Sequence, residues 1–87
     1  MIASHRHIAK ILKAIGHPVR YCIVENLVNG EHKVNDMVDC LSVAQPTVSQ
    51  HLRILKAAGI ITSTRAGNEM HYSVCSPEVI KIINSLK

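Results

Sequence analysis

A polar run, "AQPTVSQHL" from Ala44 to Leu52, interrupts a chain that is otherwise strongly aliphatic. Its amide and hydroxyl groups could donate and accept hydrogen bonds at the edges of DNA bases, and they belong to Gln45, Thr47, Ser49 and Gln50. Pro46 would fix the first turn of a helix, where free backbone N–H groups can bind a phosphate. The alternative is an ordinary solvated helix face. Such faces usually carry Glu and Lys, so the composition favours base reading.

Positive charge surrounds this run with no acidic residue to neutralise it. The window between Asp39 and Glu69 holds no Asp or Glu, but it contains Arg53, Lys56 and Arg65. Over all 87 residues, ten Lys and Arg against six Asp and Glu give a net charge of +4, which favours a polyanionic partner. We expect Arg65, with Asn68 in the same turn region, to lie against a sugar–phosphate backbone or in the minor groove. The affinity that this contact supplies should fall as salt rises.

The elements that must position these residues follow from the apolar spacing and from helix-ending residues. Apolar residues at i, i+3, i+4 and i+7 start at Ile8, and Gly16-His17-Pro18 ends that helix. Gly59 stops the helix that holds the polar run, and Ser76-Pro77 caps the last one. The predicted helices span residues 3–15, 18 to the stop at 29–30, 35–41, 45–58 and 77–86, and the predicted strands span 60–66 and 69–75.

These elements predict a mainly α fold with one β-hairpin (α+β), in the order ααααββα. Two helices joined by the short turn Ser42-Val43-Ala44 make a helix-turn-helix over residues 35–58. Gly67-Asn68 between two β-rich segments is a hairpin signal, so residues 60–75 form a wing. We therefore predict one winged helix-turn-helix domain, 1–87, whose recognition helix is the fourth.

The aliphatic ends of the chain favour a homodimer. A chain of 87 residues buries only about 60–65% of its unfolded surface, yet 47% of these residues are apolar. The apolar positions of the last helix cover more than half of its circumference, and they are Val79, Ile80, Ile82, Ile83 and Leu86. We expect helices 3–15 and 77–86 to form the dimer interface. The alternative is a monomer in which both helices pack inside.

The stretch "AQPTVSQHLRILKAAGIITSTRAGNEMHYSV", Ala44 to Val74, with "ILKAIGHPVR" upstream of it, resembles the ArsR/SmtB family of bacterial winged-helix repressors. The resemblance implies a homodimer that binds a roughly palindromic double-stranded operator and represses transcription until a signal releases it. It also implies DNA contacts from the recognition helix, including His51, and wing contacts from Arg65 and its neighbours. One departure is Ala44, where family members often carry a serine N-cap.

The residues that hold metals in this family are missing from the matching positions. One family site begins with Cys-Val-Cys-Asp-Leu, where this chain has Lys33-Val34-Asn35-Asp36-Met37. The other needs an Asp-x-His, where this chain has Ser76 and Glu78. We therefore expect no metal and no cofactor. An unfamiliar set such as His5, His7 and His71 is an alternative, but residues two apart on a helix point about 200° away from each other.

Three cysteines, Cys22, Cys40 and Cys75, have spacings that match neither a disulfide framework nor a CxxC zinc site. Reduced thiols are the simplest interpretation. Thiol-sensing members of the family pair a cysteine on the second helix with one on the last, so Cys22 and Cys75 form a candidate redox pair. The alternative is that a buried cysteine acts as a small hydrophobic residue.

The leading hypothesis is a homodimeric, sequence-specific DNA-binding repressor in the cytoplasm, with its inducer unknown. A winged-helix module for protein–protein contact is the alternative from another class. No membrane segment is expected, because no run approaches the ~20 apolar residues of a membrane span. No enzyme is expected either, because neither a nucleophile–base pair nor a Gly-rich phosphate loop is present.

Overall fold

The computed structural model describes residues 3–30 and 45–87. Its elements follow in the order α1 (Ala3–Ile15), α2 (Pro18–Val28), α3 (Gln45–Ala57), β1 (Ile61–Ala66), β2 (Glu69–Val74) and α4 (Pro77–Ser85). The predicted helix over 35–41 and the turn before α3 lie outside the described residues, as does Cys40. Every other predicted element is present within two residues of its expected ends.

The helix ends form where the sequence places capping residues. His17 is the N-cap of α2, where its Nδ1 accepts a hydrogen bond from the Val19 N–H at 3.1 Å. Ser76 caps α4 in the same way, and its hydroxyl accepts from the Val79 N–H at 3.3 Å. After α3, Gly59 has a φ of +77°, a left-handed conformation that favours glycine. The chain can therefore leave α3 and enter the hairpin directly.

The two strands form an antiparallel hairpin with an uninterrupted register from Ile61↔Val74 to Ala66↔Glu69. Gly67, in the two-residue turn with Asn68, has a φ of +64°. Each predicted strand was one residue longer, at the end of the hairpin away from the turn. Ile60 and Cys75 lie just beyond the pairing, where the Ile60 carbonyl accepts a hydrogen bond from the Cys75 N–H at 2.9 Å. This hairpin is the wing.

Aliphatic side chains from the four described helices and from the start of the hairpin meet in one core. The buried apolar residues are Ile11, Ala14, Ile15, Ile23, Val24, Leu27, Val48, Leu52, Leu55, Ile60, Ile61, Val79 and Ile83. Three of them belong to α3, so the core fixes the rotation of this helix about its own axis. Burying one such side chain stabilises the fold by about 1.5–3 kcal/mol.

Large aliphatic side chains of the terminal helices are left outside this core. Leu12 is 49% exposed and Ile8 39% exposed on α1, while Ile80 is 37% and Leu86 65% exposed at the end of the chain. Of the five apolar positions of the last helix, only Val79 and Ile83 are buried.

No helix within residues 3–30 and 45–87 is long and apolar enough to cross a membrane.

Candidate nucleic-acid interface

Helix α3 has one buried stripe and one polar face. Val48, Leu52 and Leu55 are at most 3% exposed, and their i, i+4, i+7 spacing puts them on the core side of the helix. The polar face of α3 consists of the exposed residues Pro46, Thr47, Ser49, Gln50 and Arg53. Gln45 is the first residue of the helix. Because its apolar stripe is buried in the core, α3 presents hydroxyl, amide and guanidinium groups to solvent.

The charge on α3 has one sign. No acidic residue occurs in the helix, and Arg53 and Lys56 are exposed on its second half. Cations near a helix C-terminus interact favourably with the helix dipole, so these two side chains stabilise α3. A phosphate backbone that approached the polar face of α3 would meet only attractive charges on this helix.

A side-chain hydrogen bond joins α3 to the wing. The Lys56 Nζ donates to the Ser63 Oγ at 2.8 Å. Arg65 lies two residues beyond Ser63 and therefore on the same face of β1. It is exposed and pairs with Met70 near the hairpin turn, where Asn68 is also exposed. Of the predicted wing residues, Arg65 thus lies on the strand that is tied to α3, and Asn68 lies in the turn that follows this strand.

His51 lies at the junction of α2 and α3 instead of on the polar face. Its half-buried ring packs on the His17 ring, with centroids 4.7 Å apart and planes tilted by 40°. Its buried Nδ1 has no hydrogen-bond partner among the described residues. Burial, followed by the charges of His17 and Arg20, lowers the pKa of His51, which favours the neutral ring. The DNA contact that the family resemblance predicts for His51 stays a prediction beside this packing contact.

Sequence patterns did not reveal the His17–His51 and Lys56–Ser63 contacts. The polar residues Lys56 and Ser63 stand out only as a cation in an acid-free window and a serine in a β-branched strand. His17 was identifiable as a residue at a helix junction. The sequence around these residues does not indicate which side chain each of them contacts in the folded chain.

The two described cysteines lie in different surroundings, and neither belongs to a disulfide. Cys22 is half-buried on α2, where its Sγ lies 3.7 Å from the Asn26 Nδ2. Cys75 is exposed at the end of β2, and its thiol donates to the Gly59 carbonyl at 3.5 Å. Cys75 therefore contacts the segment that connects α3 to the wing.

The histidines named as alternative metal ligands are not gathered together. Within residues 3–30 and 45–87, no group of three or more His, Cys, Asp or Glu could hold a metal ion. His7 contacts Glu78 at 2.9 Å, whereas His71 contacts Glu69 at 3.3 Å. A backbone hydrogen bond and then the His7 contact lower the pKa of Glu78. His5 and His7 both lie within the regular helix α1, where residues two apart point in different directions.

The helical core, the polar face of α3 and the wing define a winged helix-turn-helix protein. The chain belongs to the ArsR family, because the model of the "Bacterial regulatory protein, arsR family" matches residues 17–63. The fold class expected from the sequence is thereby confirmed, as is the family resemblance. Members of this family regulate transcription and are not enzymes, which agrees with the expectation of a non-enzyme.

Known proteins resemble the chain closely in sequence and in structure. The transcriptional repressor SmtB of Mycobacterium tuberculosis is 43% identical over 74 residues, which cover 85% of this chain and 55% of the repressor. The chain thus spans about half the length of that relative. HlyU from Vibrio cholerae superposes with a TM-score of 0.93 at 27% identity, covering 99% of this chain and 94% of HlyU.

A third similarity concerns the fold alone. The homodimeric winged helix-turn-helix DNA-binding domain of Mb0332 from Mycobacterium bovis superposes with a TM-score of 0.84 at 24% identity. The superposition covers 97% of this chain and 78% of that domain.

Proposed function

We propose that this chain is a homodimeric, sequence-specific DNA-binding repressor of transcription that acts in the cytoplasm. The observation that carries the proposal is the acid-free polar face of α3, held outward by the buried side chains of Val48, Leu52 and Leu55. The similarity to the repressor SmtB supports the regulatory role.

In this proposal the first two turns of α3 read bases in the major groove. An α-helix fits into that groove, which is about 12 Å wide. Thr47, Ser49 and Gln50 are exposed there, and Gln45 and Pro46 begin the helix. A Gln amide can pair bidentately with adenine, and a Thr methyl can contact the methyl group of thymine. These contacts would supply the sequence preference.

The cations and the wing would hold the protein on the DNA backbone. Arg53 and Lys56 lie on α3 beyond the base-reading turns, and Arg65 and Asn68 lie at the exposed end of the hairpin. Phosphate contacts fix the register of a DNA-binding protein without reading sequence, and they weaken as salt rises. His51 would contribute by packing α3 against α2.

The exposed aliphatic residues of α1 and of the chain end would form the homodimer interface. Ile8, Leu12, Ile80 and Leu86 are all more than a third exposed. A two-fold dimer presents two recognition helices, which calls for two inverted half-sites about one helical turn apart. The proposed operator is therefore palindromic.

The signal that releases the DNA is not a family metal site in this proposal, because Lys33, Asn35, Ser76 and Glu78 replace its ligands. A thiol-responsive repressor that uses Cys22 and Cys75 is the second candidate. The observation that favours it is the contact of the Cys75 thiol with the Gly59 carbonyl, between α3 and the wing.

Selection of binding sites from a randomised DNA duplex library tests the proposal. We expect the purified protein to enrich one sequence that consists of two inverted half-sites. Its DNA affinity should fall on the order of 10³-fold between about 50 and 200 mM salt, as is typical of proteins that make several phosphate contacts. Enrichment of no sequence, together with salt-independent binding to other proteins, would instead favour the protein–protein module.

A further inference from the structure

A second feature of the surface lies where α1, α2 and the C-terminal half of α3 meet. On α3 it adjoins the polar face, because Ile54 and Ala57 follow Gln50 by four and seven residues and so lie on the same side of the helix. A cavity of about 510 Å³ opens there. Its lining residues are Lys10, Lys13 and Ala14 of α1, Arg20 of α2, Ile54 and Ala57 of α3, and Ala58 directly after α3. We call it the basic cavity. Its volume falls within the roughly 300–1,000 Å³ that is typical of small-molecule sites.

The lining separates into a cationic rim and an apolar floor. Lys10, Lys13 and Arg20 supply three positive charges, and the other lining residues are alanines and an isoleucine. No acidic side chain is among the residues that line the cavity in the described parts of the chain. Helix α1 carries no acidic residue, so Lys10 and Lys13 have no acidic partner on their own helix. The cavity therefore combines uncompensated positive charge with apolar surface.

Arg20 provides an independent indication that an acceptor is missing. Its Nε is buried and has no hydrogen-bond partner among the described residues. A buried donor without an acceptor costs about 1–3 kcal/mol, and a guanidinium matches a carboxylate in a two-bond fork. A carboxylate in the basic cavity could pair with the Arg20 guanidinium in this way, with Nε brought to it by rotation of the side chain.

We propose that the basic cavity binds a small amphipathic anion, an organic carboxylate with an apolar body. The carboxylate would sit among Arg20, Lys10 and Lys13, and the apolar body would lie on Ile54, Ala57 and Ala58. A phosphodiester backbone would satisfy the cations but leave the apolar floor uncovered. For that reason a small amphiphile fits this surface better than a second DNA contact.

The cavity stays open in the proposed homodimer. At 100° per residue, Ile8 and Leu12 lie roughly 100–160° around α1 from Lys10 and Lys13. The aliphatic face offered to a partner subunit and the rim of the cavity are therefore on different sides of the same helix. A ligand could enter without separating the subunits.

Ligand binding would be communicated to the polar face of α3. The floor residues Ile54 and Ala57 belong to the helix that also presents Gln50 and Arg53, and Ala58 follows its last residue. A bound anion would neutralise positive charge beside this helix and so weaken its attraction for DNA. This second step rests on the proposed DNA-binding function, whereas ligand binding itself does not.

Calorimetric titration of the full chain with 2-naphthoate, in the absence of DNA, tests the site. We expect naphthoate to bind at least about tenfold more tightly than the neutral 2-naphthamide, which lacks the charge, or acetate, which lacks the apolar body. Lys10→Ala, which removes an exposed rim charge, and Ala57→Leu, which fills the floor and keeps every charge, should each weaken binding by a similar factor. Lys81→Ala removes a charge from α4 and should leave it unchanged.

Two results would overturn the proposal. One is equal binding of naphthoate and naphthamide, and the other is wild-type affinity in both Lys10→Ala and Ala57→Leu. Unchanged circular dichroism and melting temperature of each variant would show that it remains folded. A DNA titration with and without naphthoate then tests the coupling, with a severalfold loss of DNA affinity expected. Naphthoate binding without any DNA binding would contradict the proposed function and leave the ligand site standing.

Discussion

The Lys56 ammonium group donates a 2.8 Å hydrogen bond to the Ser63 hydroxyl, which joins the recognition helix α3 to the first strand of the wing. Both groups are exposed, so the bond should contribute no more than about 1 kcal/mol to stability. Its importance is geometric, because Arg65 follows Ser63 by two residues on the same strand face. The bond thus limits how far the wing can move relative to the polar face of α3.

Ser63→Ala should lower DNA affinity severalfold without lowering the melting temperature measurably. The substitution removes the acceptor and leaves every charge in place, so a loss of affinity would report the position of the wing. Fluorescence anisotropy with a labelled operator measures the affinity. Thr62→Ala, on the opposite face of β1, is the matched control and should bind like the wild type. Equal affinities for all three proteins would rule out this role of the bond.

Leu55→Ala should destabilise the fold by about 2–5 kcal/mol, because it leaves a cavity in a well-packed core. Leu55 is fully buried, whereas its neighbour Ile54 is 45% exposed. Ile54→Ala should therefore cost much less in the same helix. Urea unfolding monitored by circular dichroism gives both free energies. Similar losses would contradict the orientation of α3 described above.

Lowering the pH from 7.5 to 5.5 should reduce stability through His51. Its folded-state pKa is lowered by burial and by the nearby His17 and Arg20, so the unfolded chain takes up the proton first. The stabilisation is therefore complete above the unfolded pKa of about 6.5 and is lost as the pH falls toward the lower folded value. Glu78, with a pKa below the usual carboxyl range, titrates outside this window.

His51→Asn removes the titrating ring and should flatten the pH dependence of the unfolding free energy over this interval. His71→Asn is the matched control, because it removes a histidine from the wing. Urea unfolding at pH 7.5, 6.5 and 5.5 separates the two. An unchanged slope in His51→Asn would show that other groups govern the dependence.

Leu12→Asp should convert the dimer to a monomer. Leu12 is 49% exposed on the aliphatic side of α1, and a carboxylate there would have to be desolvated at the interface. Arg6→Glu changes the charge by two on the opposite side of α1 and should leave the dimer intact. Sedimentation equilibrium measures the mass of each. A monomeric wild type would overturn the assigned interface.

Cys75 should react with iodoacetamide before Cys22 in the native protein, because Cys75 is exposed and Cys22 is half-buried. Mass spectrometry of timed samples gives both rates. If the thiol-responsive alternative holds, peroxide or persulfide changes the DNA affinity of the wild type but not that of Cys75→Ser or Cys22→Ser. A wild type indifferent to both reagents eliminates this alternative.

Local sequence signals were sufficient for most of the fold. Pro18 and Ser76-Pro77 determine two helix starts, Gly59 a helix end, and Gly67-Asn68 the hairpin turn. Helix caps and turns depend only on residues that are close in sequence, so the sequence alone was enough to predict them. The exposed and buried sides of α3 followed from the period of Val48, Leu52 and Leu55.

Contacts between distant residues could not be obtained in this way. The packing of His51 on His17 and the basic cavity depend on how three helices are placed against one another, which no local period encodes. The sequence therefore predicted only a DNA contact for His51 and not its packing on His17. The lysines of α1 were counted only as part of the net charge.

The central claim is tested most directly by DNA titrations that compare an enriched operator with a scrambled duplex. We predict that Gln50→Ala lowers affinity for the operator about tenfold and leaves affinity for the scrambled duplex nearly unchanged, because a base contact is lost. Arg65→Ala should weaken both and reduce the salt dependence, while Lys81→Ala should match the wild type. Wild-type operator affinity in both Gln50→Ala and Arg65→Ala would contradict the account.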